Sequence, residues 1–282
     1  MGEAVDGLSY QLELKGICKE YGQMEASVPA IQDVSFALNR GEFACLVGPS
    51  GCGKSTLLRI AAGLDTPTSG EIQVCGEPVV GPHPKISMVF QSFALFPWRT
   101  VASNVEYGLE ARGVPRAERI DSVQKYLEMV GLAGYSHLYP KQLSGGMKQR
   151  VGIARALAVD PDVILMDEAF SAIDEFTAET LREEVAEIHA QTEKTFVLVT
   201  HNLVEAVELA DKIIVLSSRP ARVKKVMEVD LQRPRDKTQS EFIHAHKSIF
   251  ALLKEELETT MVRRKIKRIP EFEKLSDIEA ES

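Results

Sequence analysis

One short stretch, Gly48–Thr56 with the sequence GPSGCGKST, constrains the fold more than any other part of the chain. It satisfies the phosphate-binding loop pattern G-x-x-x-x-G-K-[ST], and it lies between an apolar run, Phe43–Val47, and a helical pattern, Lys54–Leu64. A buried strand, then the loop, then a helix is the context that this pattern requires. Glycines without a Cβ let backbone N–H groups turn inward on phosphate oxygens, and the helix points its positive end at the same charge. The sequence therefore predicts a phosphate site on an α/β sheet.

Two residues of this loop have side chains with defined chemistry. We expect the Lys54 ammonium to reach the β- and γ-phosphates and the Ser55 hydroxyl to bind Mg²⁺. The other residues of the loop are predicted to contact the nucleotide through their backbone: Gly48, Pro49, Ser50, Gly51, Cys52, Gly53 and Thr56.

A second apolar run, Val163–Met166, ends in two acids, Asp167 and Glu168. A parallel strand delivers such residues to the sheet edge at which a P-loop also lies. Asp167 is then expected to hold Mg²⁺, and Glu168 to polarise the attacking water. An apolar strand followed by acids is equally typical of a strand-end cap, and only the P-loop favours the catalytic interpretation.

The organisation of the chain is that of an α/β protein with a helical insert. Predicted strands and helices alternate on both sides of a helical segment at about residues 97–158, and Ile213–Leu216 is predicted to be the last strand. Residues 221–282 are predicted to form a C-terminal extension with a helix at Glu241–Leu257, a basic run at 263–268 and an acidic tail.

Composition excludes several classes of protein. The formal net charge is -8 and the pI is near 5.4, which argues against a nucleic-acid partner. No apolar run approaches the ~18 residues of a membrane span. The N-terminus lacks the basic start and apolar stretch of a signal peptide. The four cysteines match no zinc spacing and are typical of reduced thiols in a cytoplasm.

The segment Leu143–Gln149, LSGGMKQ, precedes a predicted helix. Ser144 could simply be an N-cap and the glycines a turn, but two glycines at a helix start also make an exposed anion site. Together with the P-loop, this segment resembles the signature motif of ATP-binding cassette (ABC) proteins. The resemblance covers roughly residues 10–220, and it implies a P-loop NTPase (RecA-like) core with an antiparallel β edge and an inserted helical signature subdomain.

The resemblance also implies roles for residues that the patterns alone would leave unassigned. A lone histidine at a strand end is more often structural, but His201 matches the switch histidine of the family. Gln91 matches the glutamine that senses Mg²⁺ and the attacking water, and Tyr21 the aromatic residue that stacks on adenine. Asp174 lies in a segment that resembles the D-loop. A second copy is implied to close over the ATP through Ser144, Gly145, Gly146 and Gln149.

Three further segments resemble the nitrate/sulfonate/taurine/bicarbonate importer branch: the aromatic stretch around Leu95–Trp98, the run SGGMKQRVGIAR, and Leu216–Pro220. The aromatic stretch could also be plain subdomain core. The branch implies an ATPase at the cytoplasmic face of the inner membrane, in a head-to-tail homodimer, with two transmembrane permease subunits and an extracytoplasmic solute-binding protein.

Two other functions remain open at this stage: a soluble ABC ATPase outside transport, and an ATP-binding regulator without turnover. The chain also departs from the family in one place, since Ala169 stands where a proline usually follows the catalytic glutamate.

Overall fold

The computed structural model describes residues 10–22 and 27–267. At its centre is a six-stranded sheet with the strand order β10-β9-β3-β8-β7-β6, parallel except for β10. Its strands in chain order are β3 (Phe43–Val47), β6 (Ile86–Val89), β7 (Val163–Asp167), β8 (Thr195–Val199), β9 (Lys212–Leu216) and β10 (Val223–Glu228).

Strand β3 explains why the sequence shows a continuous apolar run there. Phe43, Cys45 and Val47 belong to one hydrophobic cluster, and Ala44 and Leu46 belong to another. Both faces of the strand are therefore covered, as is usual for parallel sheets.

A second sheet is antiparallel, with four strands in the order β2-β1-β4-β5. They are β1 (Leu12–Tyr21), β2 (Val28–Leu38), β4 (Ser69–Val74) and β5 (Glu77–Pro78). Between the two sheets lies α1 (Lys54–Ala61), whose apolar residues share a cluster with both. This helix ends before the predicted Leu64, because the chain leaves the helical conformation at Gly63, with φ +68°. Glycine is needed there, since a Cβ would lie 1.9 Å from the Gly81 carbonyl oxygen.

Within the described residues, the other six helices pack into the cluster that contains Phe43, Cys45 and Val47, except where they face solvent. Residues 97–158 contain three of them, two 3₁₀ turns and no strand. In chain order the helices are α2 (Val101–Ala111), α3 (Arg116–Met129), α4 (Gly145–Ala158), α5 (Glu175–Thr192), α6 (Leu203–Leu209) and α7 (Ser240–Lys267). The predicted fold class is confirmed, with its α/β core, antiparallel sheet and helical insert.

The prediction that Ile213–Leu216 is the last strand is wrong, because β10 follows it and pairs antiparallel with β9. The sequence VKKVME has two adjacent lysines in place of a clean alternation, which is typical of an edge strand. Helix α7 also continues ten residues beyond the predicted Leu257, to Lys267. The acidic tail lies outside the described residues. None of the helices within 10–22 and 27–267 combines the length and apolarity needed to span a bilayer.

Candidate functional site

The strand order brings four predicted segments to one edge of the sheet. The P-loop follows β3, His201 comes just after β8, Asp167 and Glu168 end β7, and Gln91 follows β6. Strands β3, β8, β7 and β6 are consecutive neighbours and parallel, so all four segments leave the same edge. Ligands of open α/β sheets bind at this carboxyl edge.

The P-loop backbone requires glycine at three positions. Gly51 and Gly53 have φ of +75° and +124°, and a Cβ on Gly48 would lie 3.1 Å from the Leu216 carbonyl oxygen. Lys54 is 6% exposed, and its Nζ donates hydrogen bonds to the carbonyls of Gly48 (2.8 Å) and Pro49 (3.1 Å). The ammonium is thus held inside the curve of the loop, where phosphate charge is bound in P-loop proteins.

The two predicted Mg²⁺ ligands contact each other directly. Ser55 Oγ donates a hydrogen bond of 2.8 Å to Asp167 Oδ1. Burial raises the pKa of Asp167, and the Glu168 charge acts in the same direction, whereas the Ser55 hydroxyl opposes both. A hydroxyl and a carboxylate beside a phosphate loop suit Mg²⁺, which binds proteins through one or two carboxylates and keeps waters and phosphate oxygens as further ligands.

Glu168 lies in an unusual backbone conformation, with φ +45°. Its N–H donates to the Val199 carbonyl (2.9 Å), and its own carbonyl accepts from the N–H (3.1 Å) and hydroxyl (2.8 Å) of Ser171. Its carboxylate lies 3.4 Å from His201 Nδ1. Left-handed φ is uncommon for a side chain of this size, and such strain concentrates at functional sites.

Gln91 joins the same group through a residue to which sequence reasoning gave no role of its own. The Gln91 amide donates to Ser171 Oγ at 3.2 Å, and this hydroxyl in turn donates to the Glu168 carbonyl. Ser171 is therefore the link between the glutamine after β6 and the acid after β7. Its only signal in the sequence was its place in the D-loop resemblance.

The signature segment lies at the start of α4, and side chains next to and within α5 pack against its glycines. Ser144 is the N-cap, with its hydroxyl accepting the Met147 N–H at 3.2 Å. A Cβ on Gly146 would lie 2.3 Å from Thr177 Cγ2, and one on Gly145 would lie 3.1 Å from Ile173 Cγ2. The first N–H groups of an α-helix have no acceptor within the helix. Within the described residues, no hydrogen bond or ion pair joins Ser144, Gly145 or Gly146 to the P-loop.

Two predicted residues are engaged elsewhere in the structure, and a third is buried. The Asp174 carboxylate caps α5 by accepting from the Thr177 N–H (3.0 Å) and hydroxyl (2.7 Å). Tyr21 is 44% exposed and donates to Asp65 Oδ2 at 3.2 Å. Gln149 is fully buried, and neither atom of its amide has a hydrogen-bond partner in the described structure. A nucleotide contact by Gln149 would thus require α4 to move, and all three contacts stay predictions.

The aromatic stretch forms an ordered surface cluster in place of a buried core. The Phe96 ring lies 4.5 Å from the Tyr107 ring and 5.7 Å from Trp98, which is 72% exposed. Arg99 lies over Tyr107 at 5.0 Å. Asn104, which sequence reasoning missed, is fully buried and binds the backbone of Phe96, Arg99 and Thr100. This loop is therefore held in one conformation with its tryptophan outward.

Comparison with known proteins gives a consistent result. A family model described as "ABC transporter" matches residues 31–171. The chain is 45% identical over 252 residues to an uncharacterized ABC transporter ATP-binding protein of Methanocaldococcus jannaschii, which covers 89% of this chain and 94% of the relative.

Relatives with an assigned function include two import ATP-binding proteins. The nitrate import ATP-binding protein NrtD of Synechocystis is 43% identical over 270 residues, which is 94% of this chain and 92% of the relative. The aliphatic sulfonates import ATP-binding protein SsuB of Bacillus cereus is 40% identical over 238 residues, 84% of this chain and 94% of the relative.

Among solved structures, a dimeric ATP-binding cassette in a post-hydrolysis state with ADP and Pi is similar. The TM-score is 0.68 at 33% identity, over 78% of this chain and all of the other.

Proposed function

Because the chain belongs to the ABC transporter family, we propose that it is the ATP-hydrolysing subunit of an importer for a small anionic solute, of the nitrate or sulfonate kind. The single observation that carries the ATPase is the convergence of the P-loop, Asp167, Glu168, Gln91 and His201 at one sheet edge. A soluble ATPase outside transport and a regulator without turnover are the alternatives.

Each of these side chains has a distinct part in hydrolysis. Lys54 and the P-loop N–H groups bind the β- and γ-phosphates, for which Lys54 exchanges its carbonyl partners. Ser55 and Asp167 would hold Mg²⁺, with Gln91 at the same sheet edge, and the ion would neutralise phosphate charge. The Glu168 carboxylate accepts a hydrogen bond from the attacking water and orients it, while His201 and Ser171 fix the position of Glu168.

A second copy of the chain completes the site. Ser144 is exposed at the start of α4, where a hydroxyl and free N–H groups can meet the γ-phosphate of an ATP held by another chain. The dimeric cassettes among the similar structures support this arrangement. We propose a head-to-tail homodimer that ATP closes and hydrolysis opens.

Two transmembrane permease subunits and, outside the membrane, a solute-binding protein are the further proposed partners, which would place the chain at the cytoplasmic face of the inner membrane. The surface cluster of Phe96, Trp98, Arg99 and Tyr107 supports docking, because exposed aromatic and arginine side chains are the usual anchors of protein interfaces. Burial of the Trp98 ring against a permease helix would provide much of the affinity.

Affinity capture from detergent-solubilised membranes tests the proposal. We expect polytopic membrane subunits to co-purify with the wild-type chain and to be largely lost with Trp98→Ala. Val80→Ala is the matched control, because Val80 is even more exposed, at 96%, and lies outside the aromatic cluster. Capture of ribosomes or DNA in their place would support a soluble ATPase, and absence of ATP turnover in the purified chain would support a regulator.

A further inference from the structure

Three cations at alternate positions follow β10, namely Arg233, Arg235 and Lys237, and all three contact α6 or its end. We call them the cationic strap. Arg235 Nη1 donates to the carbonyls of Val207 (2.7 Å) and Ala210 (2.6 Å), and the Arg235 side chain is 1% exposed. The strap lies outside the residues that the family model matches.

The cationic strap supplies partners that the C-terminus of helix α6 lacks within the helix itself. It has seven residues and no basic residue in its last turn. The last carbonyls of a helix lack partners within the helix and favour positive charge. Arg233 supplies a donor to the Leu209 carbonyl and pairs with Asp211 at 2.7 Å, and Lys237 lies 3.5 Å from Glu208.

The other end of α6 is tied to the turn that carries His201. The Asn202 side chain caps the helix by accepting the Val204 N–H, and the Asn202 N–H donates to Thr200 Oγ1 at 3.0 Å. The Thr200 hydroxyl donates to the carboxylate of Glu205, a buried residue of α6. His201 stands between these two anchored residues, 3.4 Å from the Glu168 carboxylate.

Arginine suits the central position of the strap. Arg235 donates to four carbonyls through Nε, Nη1 and Nη2, the other two being Leu231 and Val229. A planar guanidinium with five donors can make such a set, whereas a lysine ammonium has three donors at one point. Burial, together with the nearby Arg233, lowers the pKa of Arg235 to about 10, so the side chain still carries its charge at neutral pH.

We propose that Arg235 is a positioning residue for ATP hydrolysis, which holds α6 so that His201 stays against Glu168. The inference rests on the proposed role of His201 in this ATPase. Part of the C-terminal extension would then belong to the hydrolytic apparatus, although it touches no reacting atom.

A double-mutant cycle on the full-length chain tests this proposal. We expect Arg235→Ala to lower kcat by roughly tenfold or more, as a small misplacement of a catalytic group does, and to leave KM for ATP unchanged. In a His201→Ala background, Arg235→Ala should cause no further loss of kcat, because Arg235 acts through the His201 side chain, which is already absent. Arg235→Lys should recover part of the rate. Lys224→Ala is the matched control, since Lys224 pairs with Glu255 and Glu256 of α7 and should keep the wild-type rate.

Losses that multiply in the double variant, a rise in KM alone, or an unchanged kcat in Arg235→Ala would overturn the positioning role. In those cases a His201→Ala defect would still support the proposed ATPase. Wild-type turnover by His201→Ala would overturn the proposed role of His201 and with it the positioning role of Arg235, whereas the proposed ATPase would stand. If Arg235→Ala does not fold in thermal melts, Arg235→Lys replaces it in the cycle, with the same expected lack of a further loss.

Discussion

The two halves of the proposed nucleotide site are built in opposite ways. In the P-loop half, the functional side chains have partners within the chain: Lys54 on loop carbonyls, Ser55 on Asp167, and Glu168 beside His201. In the signature half, Ser144 is exposed, and the packing contacts of Gly145 and Gly146 lie behind the segment, on Ile173 and Thr177.

This difference indicates which part of the proposed site each copy of the chain would supply. The P-loop half has everything needed to hold a nucleotide, with internal partners that keep its charges in place until a phosphate arrives. The signature half offers a hydroxyl and N–H groups, and in the proposed head-to-tail homodimer its ligand comes from another copy. Binding should therefore be a property of one chain, and hydrolysis a property of two.

Glu168→Gln should have the largest effect, because it should abolish most of the hydrolysis and leave nucleotide binding intact. A neutral amide cannot act as a base toward the attacking water, so ATPase should fall by about 10²–10⁴-fold, while ATP affinity stays within a few-fold of wild type. Phosphate release and fluorescent-nucleotide titration measure the two quantities. Glu77→Gln is the control and should retain full activity, because Glu77 is an exposed residue of β5 that pairs with Lys85. A parallel loss of binding and turnover would contradict the division.

Mixing two inactive chains tests the comparison directly. Lys54→Ala disables the P-loop half and Ser144→Arg the signature half, so each homodimer should be inactive. In the mixture about half of the dimers are mixed, each with one complete site of two, so the rate should reach on the order of a quarter of wild type. No recovery, with dimers confirmed by light scattering, would show that the halves do not act across copies.

Asp167→Asn should reveal a smaller effect, on stability. Burial raises the pKa of Asp167, so the folded chain binds this proton more tightly than the unfolded chain. The ionised carboxylate therefore destabilises the fold at neutral pH, and this destabilisation disappears as the pH falls below the unfolded value of about 3.9. We expect Asp167→Asn to melt at a higher temperature than wild type at pH 7 and to converge with it toward pH 4. A lower melting temperature at pH 7 would contradict this reading.

Ala169→Pro should have the smallest effect. Ala169 is buried directly after Glu168, and a proline there fixes one backbone angle without removing a catalytic group. We expect nucleotide affinity to stay intact and turnover to change less than in Glu168→Gln, in the same two assays. Abolished nucleotide binding would refute the expectation.

The sequence alone determined the P-loop, the strand with its two acids and the order of the motifs along the chain. These features depend on local requirements, namely glycines at positive φ before a helix and apolar runs covered on both faces. The same local character explains why β3 has the predicted bounds. A charged edge strand such as β10 gave no comparable signal, and it was missed.

Tertiary structure decided which polar groups meet. Strand order placed His201 between the P-loop and Glu168, and it brought Gln91 to Ser171. Packing of the helices also buried Gln149, and Asp174 became the N-cap of α5. The strap on α6 joins segments 24 to 28 residues apart through carbonyls that carry no side-chain signature. Periodicity in a sequence reports whether a residue is covered, whereas the identity of its partner depends on the packing of the whole sheet.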